Sequence, residues 1–285
     1  MKILITGASG NVGQYIVKNL LGLNEDLVLT STNPEKLSEM YYGVAEIVYF
    51  DFQKVETFDQ ALINVDRVYL MRPPHLGKPE DLYPFLSKLK EYSIKHIVFL
   101  SLMGIERNPI PPHYKIEKYI KKLGIPYTFV RPGFFMQNIS GIHSYEIRER
   151  DEIFVPAGKS KTSFIDTKDI GYAISIILHK PFEHINKAYT LTGSVALDYY
   201  ELANILSEVT ERKIIYRNPS FIQYRNYYIN HRKLDKSYVN VTIGLYLITR
   251  MGNAKKVTND YFTITGKKPT SFYEFCEHHL EDFKR

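Results

Sequence analysis

The hydrophobic and polar positions of the chain follow two patterns. Short apolar runs are typical of buried strands, and longer stretches with a period near 3.6 are typical of amphipathic helices. In the first half we predict strands at residues 3–5, 26–30, 45–50, 67–71, 96–100 and 127–131. Between them we predict helices at residues 12–21, 57–62, 82–92 and 113–123, and one that begins near Glu35. Strands and helices that alternate in this way indicate a parallel sheet with helices on both faces.

The second half of the chain contains fewer strands. We predict strands at residues 187–193 and 213–217, and helices at residues 142–150, 167–178, 197–211, 221–256 and 272–283. The predicted fold class is therefore α/β. A Rossmann-like doubly wound parallel sheet occupies residues 1–150, and a smaller α/β C-terminal substrate lobe occupies residues 151–285. We expect about residues 163–192 to return to the Rossmann sheet.

Composition narrows the class of protein. The chain has 285 residues, of which 44% are hydrophobic and 24% charged, as in ordinary globular proteins. No apolar run reaches the length that spans a membrane, and Met1 leads directly into a strand, so we expect no membrane partner and a cytoplasmic protein. The single cysteine, Cys276, excludes an internal disulfide framework. No cluster of Cys and His predicts a metal.

The net charge of +6 raises the question of an anionic partner. The basic residues are dispersed, and the densest groups, 115–122 and 255–256, are short. We therefore interpret them as a solvated face and expect no nucleic acid. DNA binding is kept only as the least favoured hypothesis.

The first thirteen residues, MKILITGASGNVG, carry the clearest chemistry. Gly7, Gly10 and Gly13 follow a strand and precede a helix. A side chain at Gly7 or Gly10 would keep a pyrophosphate away from the backbone N–H groups and the positive helix N-terminus. Gly13 allows close packing of helix and strand. This pattern predicts a dinucleotide site, although a glycine turn can also be purely structural.

The segment after the second strand selects the cofactor in such folds. Residues 31–36 contain neither an acidic residue at the strand tip nor an Arg. Ser31 and Thr32 could donate to a phosphate, and Lys36 could reach one, which favours NADP(H) over NAD(H). Asn33 and Pro34 also fit a simple helix cap, whichever cofactor binds.

With these residues in place, the chain resembles the NmrA-like group of atypical short-chain dehydrogenases/reductases. The resemblance rests on ITGASGNVG, GIPYTFVRPGFFMQN, SFIDTKDIGYA, AYTLTG and ITGKKPTSFYEF, in this order along the chain. The group includes NAD(P)H-dependent quinone and azo-dye reductases and also cofactor-binding redox regulators. Similar structures are often labelled sugar-nucleotide epimerase-like.

The resemblance implies a set of cofactor contacts. The pyrophosphate would lie at Gly7, Ser9, Gly10, Asn11 and Val12. The ribose phosphate would lie at Thr32, where the family often has Arg, and at Lys36. The adenine would meet Asp51 and Phe52. The channel beyond it would be lined by Met71, Arg72 and Pro73. The nicotinamide would approach Pro132 and Phe134, and a ribose hydroxyl could bond to His113.

A Tyr-x-x-x-Lys motif, Tyr114 and Lys118, lies downstream of Ser101. In the wider superfamily this pair protonates the substrate. Here the predicted buried stripe of the helix is Ile116, Tyr119, Ile120 and Leu123, which leaves Tyr114 and Lys118 facing solvent. In the family register the catalytic Tyr falls at Pro109. Ser101, His113, Tyr114 and Lys118 remain as weak catalytic candidates.

Three functions follow. The first is an NAD(P)H-dependent oxidoreductase that transfers hydride to a quinone-like or other conjugated small molecule without a Tyr–Lys pair. The second is a non-catalytic NADP(H)-binding redox sensor with a protein partner, and the third is an epimerase-like enzyme. We expect a monomer or a homodimer. The predicted substrate pocket consists of Ser101, Leu102, Met103, Phe135 and Asn138.

Overall fold

A computed structural model describes residues 2–285 of the chain. The described chain contains the strands β1 Lys2–Thr6, β2 Leu27–Ser31, β3 Glu46–Tyr49, β4 Val65–Met71, β5 His96–Leu100, β6 Tyr127–Pro132, β7 Phe134–Phe135, β8 Glu152–Phe154, β9 Phe164–Ile165, β10 Lys187–Leu191 and β11 Ile215–Arg217.

The α-helices are α1 Gly13–Gly22, α2 Pro34–Tyr41, α3 Phe58–Ala61, α4 Tyr83–Glu91, α5 Pro112–Leu123, α6 Gln137–Ser140, α7 Ser144–Arg150, α8 Thr167–His179, α9 Tyr199–Thr210, α10 Phe221–Asn226, α11 Lys236–Arg250, α12 Asp260–Thr265, α13 Phe272–His278 and α14 Leu280–Phe283. Short 3-10 turns occupy Val55–Thr57, Pro79–Leu82, Ile105–Arg107 and Pro181–Glu183, and a π-helical turn occupies Tyr227–His231.

The chain divides into two compact units. The first comprises Met1–Pro132, Thr167–Leu191 and Asp260–Lys267, and the second comprises Gly133–Asp166, Thr192–Asn259 and Lys268–Arg285. The chain thus leaves the first unit after β6, earlier than the predicted division at residue 150. Asp260–Lys267 also belongs to the first unit, because α12 packs against α8 and β10.

The first unit is built on one parallel sheet in the order β3-β2-β1-β4-β5-β6-β10. Ile5 pairs with Leu29 on one side and with Tyr69 on the other, so the order reverses between β1 and β4. This doubly wound arrangement confirms the predicted Rossmann-like α/β fold. Ligands in such sheets bind at the carboxyl ends of the strands, next to the point of reversal.

Helices cover both faces of this sheet. On one face, α4 and α5 bury Phe85 and Ile120 in a cluster that includes Phe50, Phe58 and Phe99. On the other face, α1 and α8 pack together closely. The apolar runs of the strands are buried from both sides, as parallel sheets require.

Gly171 permits the close approach of α8 to α1. A Cβ at Gly171 would lie 2.5 Å from Cβ of Tyr15, inside any real carbon–carbon contact. The start of α1, which carries the glycine turn, is therefore packed from behind by α8.

The second unit pairs β8 with β11 and β7 with β9, and helices surround both pairs. Two helix predictions were too long here. Residues 221–256 do not form one helix, because Lys233 adopts a left-handed conformation (φ 54°) and Asp235 caps a new helix through Tyr238 N. The predicted helix at 272–283 divides at His279.

Candidate functional site

The turn after β1 takes a conformation that requires glycine. Gly7 has φ +65°, and a Cβ there would lie 3.0 Å from Cγ of Met71 on the neighbouring strand β4. The N–H of Gly10 donates to the carbonyl of Gly7 (3.0 Å), which closes the turn. A side chain at Gly7 would be strained by its backbone angle and crowded by Met71.

Gly13 is the tightest position of this turn. A Cβ at Gly13 would lie 2.1 Å from the carbonyl oxygen of Gly7 and 3.0 Å from Cα of Ala8. The first turn of α1 therefore packs directly on the backbone of the preceding loop. Val12 precedes the helix and provides no side-chain cap.

The corner made by this loop and by α1 fits a pyrophosphate. Ser9, Gly10 and Asn11 are exposed, and the N-terminus of α1 lacks a side-chain acceptor. Backbone N–H groups and the positive helix end together make an anion site. These residues are those that the sequence predicted for the pyrophosphate, together with Val12, which is buried.

The segment after β2 is partly occupied by its own turn. The hydroxyl of Ser31 accepts a hydrogen bond from Asn33 N (2.9 Å), and Oδ1 of Asn33 accepts one from Lys36 N (3.2 Å). Asn33 thus caps α2, with Pro34 as its first residue. The side chains of Thr32 and Lys36 are exposed.

The predicted adenine contacts differ from each other in exposure. Oδ1 of Asp51 accepts a hydrogen bond from Gln53 N (2.9 Å) within its own turn. The ring of Phe52 is buried and packs edge-on against Phe50 (4.8 Å between centroids) and Phe85 (5.4 Å). Phe52 therefore contributes to the apolar core beneath this strand end.

Two buried nitrogen atoms have no hydrogen-bond partner within the described chain. They are Nε of Arg72, just after β4, and Nδ1 of His113, at the start of α5. His113 is buried and stacks on Phe99, and its Nδ1 has no hydrogen bond within residues 2–285. Nε of Arg72 is likewise buried without a partner in the described chain, although Nη1 donates to the carbonyls of Pro73 (3.1 Å) and Leu76. Buried polar atoms are nearly always paired, so these two fit an oxygen-rich ligand.

The surroundings of His113 fix its protonation state. Burial, assisted by the positive charge of Arg72, lowers the pKa of His113 to about 3. The imidazole is therefore neutral at neutral pH. It can form a hydrogen bond at Nδ1, but it is not a store of a transferable proton.

Ser101 belongs to a buried charged cluster that the sequence did not reveal. Its hydroxyl donates to Oε1 of Glu117 (2.6 Å), and Arg131 holds the same carboxylate through Nε (3.0 Å) and Nη2 (2.6 Å). Nη1 of Arg131 also reaches Glu106 (3.3 Å). The available signal was an acidic residue between Ile116 and Ile120 on the buried face of α5. This cluster fixes the ends of β5 and β6 to α5.

Tyr114 and Lys118 contact each other on the outer side of α5. Lys118 is exposed and Tyr114 is half-buried, and Nζ of Lys118 lies over the ring of Tyr114, 4.6 Å from its centroid. The buried residues of α5 are instead His113, Ile116, Glu117 and Ile120.

The remaining predicted residues are divided between the units. In the first, Met71 and Pro73 are half-buried, Pro132 is buried, Leu102 is exposed, and Met103 N donates to the carbonyl of Pro132 (3.1 Å). In the second, Phe134 and Phe135 form β7 beside β9 and are half-buried, whereas Asn138 is exposed.

Comparison with known proteins gives these features a context. A model of the NmrA-like family matches residues 1–261. The chain belongs to the NmrA-like family. This result confirms the resemblance predicted from the sequence motifs.

The chain is similar to proteins with diverse names. The chain is 31% identical to prestalk A differentiation protein A of Dictyostelium discoideum, over 97% of this chain and 92% of that protein. It is 27% identical to the NAD(P)H azoreductase of Xenophilus azovorans, over 99% of both. The solved triphenylmethane reductase of Citrobacter sp., complexed with NADP(H), shares the fold with a TM-score of 0.89 at 24% identity, over 98% of this chain and 100% of that one.

Two further observations concern classes of site. Within residues 2–285 no group of three or more His, Cys, Asp or Glu side chains is arranged to hold a metal ion. None of the helices described is long and apolar enough to cross a bilayer.

Proposed function

We propose that this protein binds NADP(H) at the glycine corner and reduces a quinone-like or otherwise conjugated small molecule by hydride transfer, without a Tyr–Lys pair. The observation that carries the proposal is the corner itself. Gly7, Gly10 and Gly13 leave backbone N–H groups and the start of α1 open to an anion. The names of the azoreductase and the dye reductase agree with this reaction class.

Different residues of the first unit would hold different parts of the cofactor. The glycine loop and α1 would bind the pyrophosphate, and Lys36, which is exposed, would pair with a ribose phosphate. Arg72 and His113 would each give a buried, unpaired nitrogen to an oxygen of the ligand. A bound nicotinamide supplies the hydride, and the protein then contributes proximity and orientation.

Hydride transfer without a Tyr–Lys pair, as proposed, restricts the class of acceptor. Ser101 donates its hydroxyl to Glu117, and His113 is neutral because its pKa is about 3. Tyr114 contacts Lys118 on the outer side of α5. Acceptors that take up hydride without prior protonation suit such a site, and any proton that completes the reduction then comes from solvent. Quinones, azo compounds and conjugated cations belong to this class.

A titration followed by turnover tests the proposal. NADPH would be titrated by fluorescence, and a water-soluble quinone would then be added while NADPH oxidation is followed. We expect saturable binding and oxidation well above the uncatalysed rate. The Tyr114→Phe variant should retain activity within about twofold of wild type, because a residue that donates no proton in the transition state contributes none of the 10²–10⁴-fold effect of acid catalysis. A larger loss would reinstate Tyr114 as the acid.

The same assay distinguishes the second candidate, a redox sensor. Its support is that Ser101 donates its hydroxyl to Glu117 and that burial keeps His113 neutral, so neither of these two candidates is a ready general acid. Saturable NADPH binding with no acceleration across a panel of quinones, azo dyes and cationic dyes would favour the sensor. Absence of binding for both NADPH and NADH would contradict both candidates.

A further inference from the structure

The positive charge of this protein is concentrated in one segment of the second unit. Residues 212–257 contain ten Lys and Arg residues and a single acidic residue, Asp235. The segment therefore carries a net charge of +9 (10 − 1), whereas the whole chain carries +6. The remainder of the chain is consequently acidic, at −3 (6 − 9). Three of its arginines, Arg212, Arg217 and Arg232, pair with Asp151, Glu152 and Glu146 outside the segment. The positive charge that an anionic partner would meet is therefore chiefly that of the exposed lysines of the segment.

The longest helix of this segment, α11, is apolar on its outer face. Its inner face buries Val239, Tyr246 and Thr249. At about 100° per residue, the opposite side carries exposed aliphatic residues. They are Val241 (61% exposed), Leu245, Leu247 (51%) and Ile248, and Met251 (70%) follows directly after the helix. The polar residues Ser237 and Asn240 are exposed on the same side. A surface helix normally presents polar residues to water, so this face calls for a partner.

Helix α10 carries a further exposed apolar residue and is bonded to α11. Ile222 on α10 is 74% exposed. Helix α10 is attached to α11 through the hydroxyls of Tyr224 and Thr242 (3.0 Å) and through Arg225 and Asn240 (3.1 Å). The two helices therefore present their apolar residues from one connected structure.

Lysines flank the apolar residues at both ends of α11. Lys233 and Lys236 are exposed where the helix begins, and Lys255 and Lys256 are exposed shortly after it ends. We call these four lysines, with Ile222, Val241, Leu245, Leu247, Ile248 and Met251, the basic apolar face. Aliphatic residues between flanking lysines are the composition of helices that lie in a membrane interface.

We propose that the basic apolar face binds the surface of a bilayer that contains anionic lipids. Charge and side-chain chemistry favour a bilayer over a second copy of the chain or a nucleic acid. A second copy docked by the same face would place lysines against lysines, since the only acid in the segment is Asp235. Nucleic acid would find aliphatic side chains, which offer no stacking platform for bases. Anionic headgroups complement the lysines, and the acyl chain region takes the aliphatic side chains.

Vesicle co-sedimentation tests the proposal. The whole protein would be mixed with vesicles of phosphatidylcholine alone, and with vesicles that also contain phosphatidylserine. We expect the protein to pellet with the phosphatidylserine vesicles at low salt and to be released when NaCl is raised several-fold, because the attraction is screened. The readout involves no cofactor and no turnover, so it is independent of the proposed function.

Two variants separate the charged and apolar contributions. Replacing Lys233, Lys236, Lys255 and Lys256 by Gln should weaken binding about fivefold for each lysine removed. The matched control replaces four exposed lysines of the first unit, Lys18, Lys115, Lys122 and Lys180, by Gln and should bind as wild type does.

The apolar variant combines Val241→Ser, Leu247→Ser and Met251→Gln. It should also lose vesicle binding, because its exposed side chains no longer enter the interface. Its control replaces exposed apolar residues elsewhere, namely Tyr42, Ile110 and Phe182, by Ser. All these positions are exposed, so circular dichroism spectra should match wild type.

Several outcomes would overturn the proposal. One is no pelleting with phosphatidylserine vesicles at low salt, or equal pelleting with both lipid compositions. Another is a homodimer, seen by light scattering, that the apolar variant dissociates. A third is salt-sensitive binding of duplex DNA without any vesicle binding, which would make nucleic acid the occupant.

Discussion

Replacing Gly13 by Ala tests the glycine corner most directly. The new Cβ would start 2.1 Å from the carbonyl oxygen of Gly7, whereas an ordinary contact begins at 3.4 Å. The backbone of the turn and the start of α1 must therefore separate by about 1.3 Å (3.4 − 2.1). Both partners are backbone atoms, and α8 packs behind α1, so no flexible side chain can absorb the change.

We expect Gly13→Ala to lower both the stability of the fold and the affinity for NADPH. Overpacking of this kind destabilises a protein by about 1–3 kcal/mol. The melting temperature should fall by roughly 2–4 °C for each kcal/mol in a chain of this size class. A shift of this size also moves the start of α1 away from a bound pyrophosphate. Losing one charge-assisted hydrogen bond, about 1.5–3 kcal/mol, weakens NADPH binding at least tenfold.

Gly22→Ala is the matched control in the same helix. A Cβ at Gly22 meets nothing within 4 Å, so Ala should fit and should stabilise α1 by about 0.5–1 kcal/mol. Both variants would be compared by thermal unfolding and by NADPH titration well below the melting transition. If Gly13→Ala binds NADPH and melts as wild type does, the reasoning about the corner is refuted.

Three further predictions concern other parts of the chain. Lys36→Ala should weaken NADPH binding several-fold and leave NADH unchanged, because in the proposed function the lysine would pair with the 2′-phosphate alone; equal losses in the two titrations would contradict this. Burial lowers the pKa of His143 to about 3, below its ordinary 6.5, so stability should be lost as pH falls from 6.5. At pH 5 this loss is about 2 kcal/mol, and a His143→Gln variant should show a correspondingly flatter dependence in urea unfolding at pH 7 and 5. Arg131→Ala should cost about 3–5 kcal/mol because it leaves the buried carboxylate of Glu117 without its cationic partner, and adding Glu117→Gln should recover part of that loss in a double-mutant cycle.

The sheet was predictable because its signals are local. Each apolar run of the first half is a strand, and the glycine turn could be assigned from residues 1–13 alone. Gly124 likewise ends α5 in a left-handed conformation (φ 70°), as a glycine at this position predicts. These features depend on the backbone preferences of neighbouring residues and need no knowledge of distant contacts.

The charged cluster at Ser101 could not be predicted in the same way. Glu117 and Arg131 are 14 residues apart on different elements, and their bond depends on how α5 packs against β6. Its place at a strand end predicts that Ser101 lines a substrate pocket, but the bond of its hydroxyl to Glu117 does not follow from that place. Polar residues at strand ends can be counted from a sequence, but their partners depend on tertiary packing.

The basic apolar face illustrates the same limit. Residues 221–256 have an apolar periodicity, and the sequence alone does not distinguish the buried side of a helix from an exposed one. Dispersed lysines were accordingly interpreted as a solvated face, and no membrane partner was expected. Exposure at Val241 and Met251 changes this interpretation, because the aliphatic side of α11 faces outward.

The proposed acceptor class also predicts how turnover depends on pH. An enzyme with a general acid loses activity as that acid deprotonates, which gives its rate profile a falling limb. His113 is neutral across the neutral range because burial lowers its pKa to about 3, and Ser101 donates to Glu117. We therefore expect kcat for a quinone to be flat between about pH 6 and 9. The profile would be measured with NADPH saturating, alongside Tyr114→Phe. A limb that falls with rising pH, and that Tyr114→Phe removes, would show that a tyrosine protonates the acceptor and that the acceptor class must be widened.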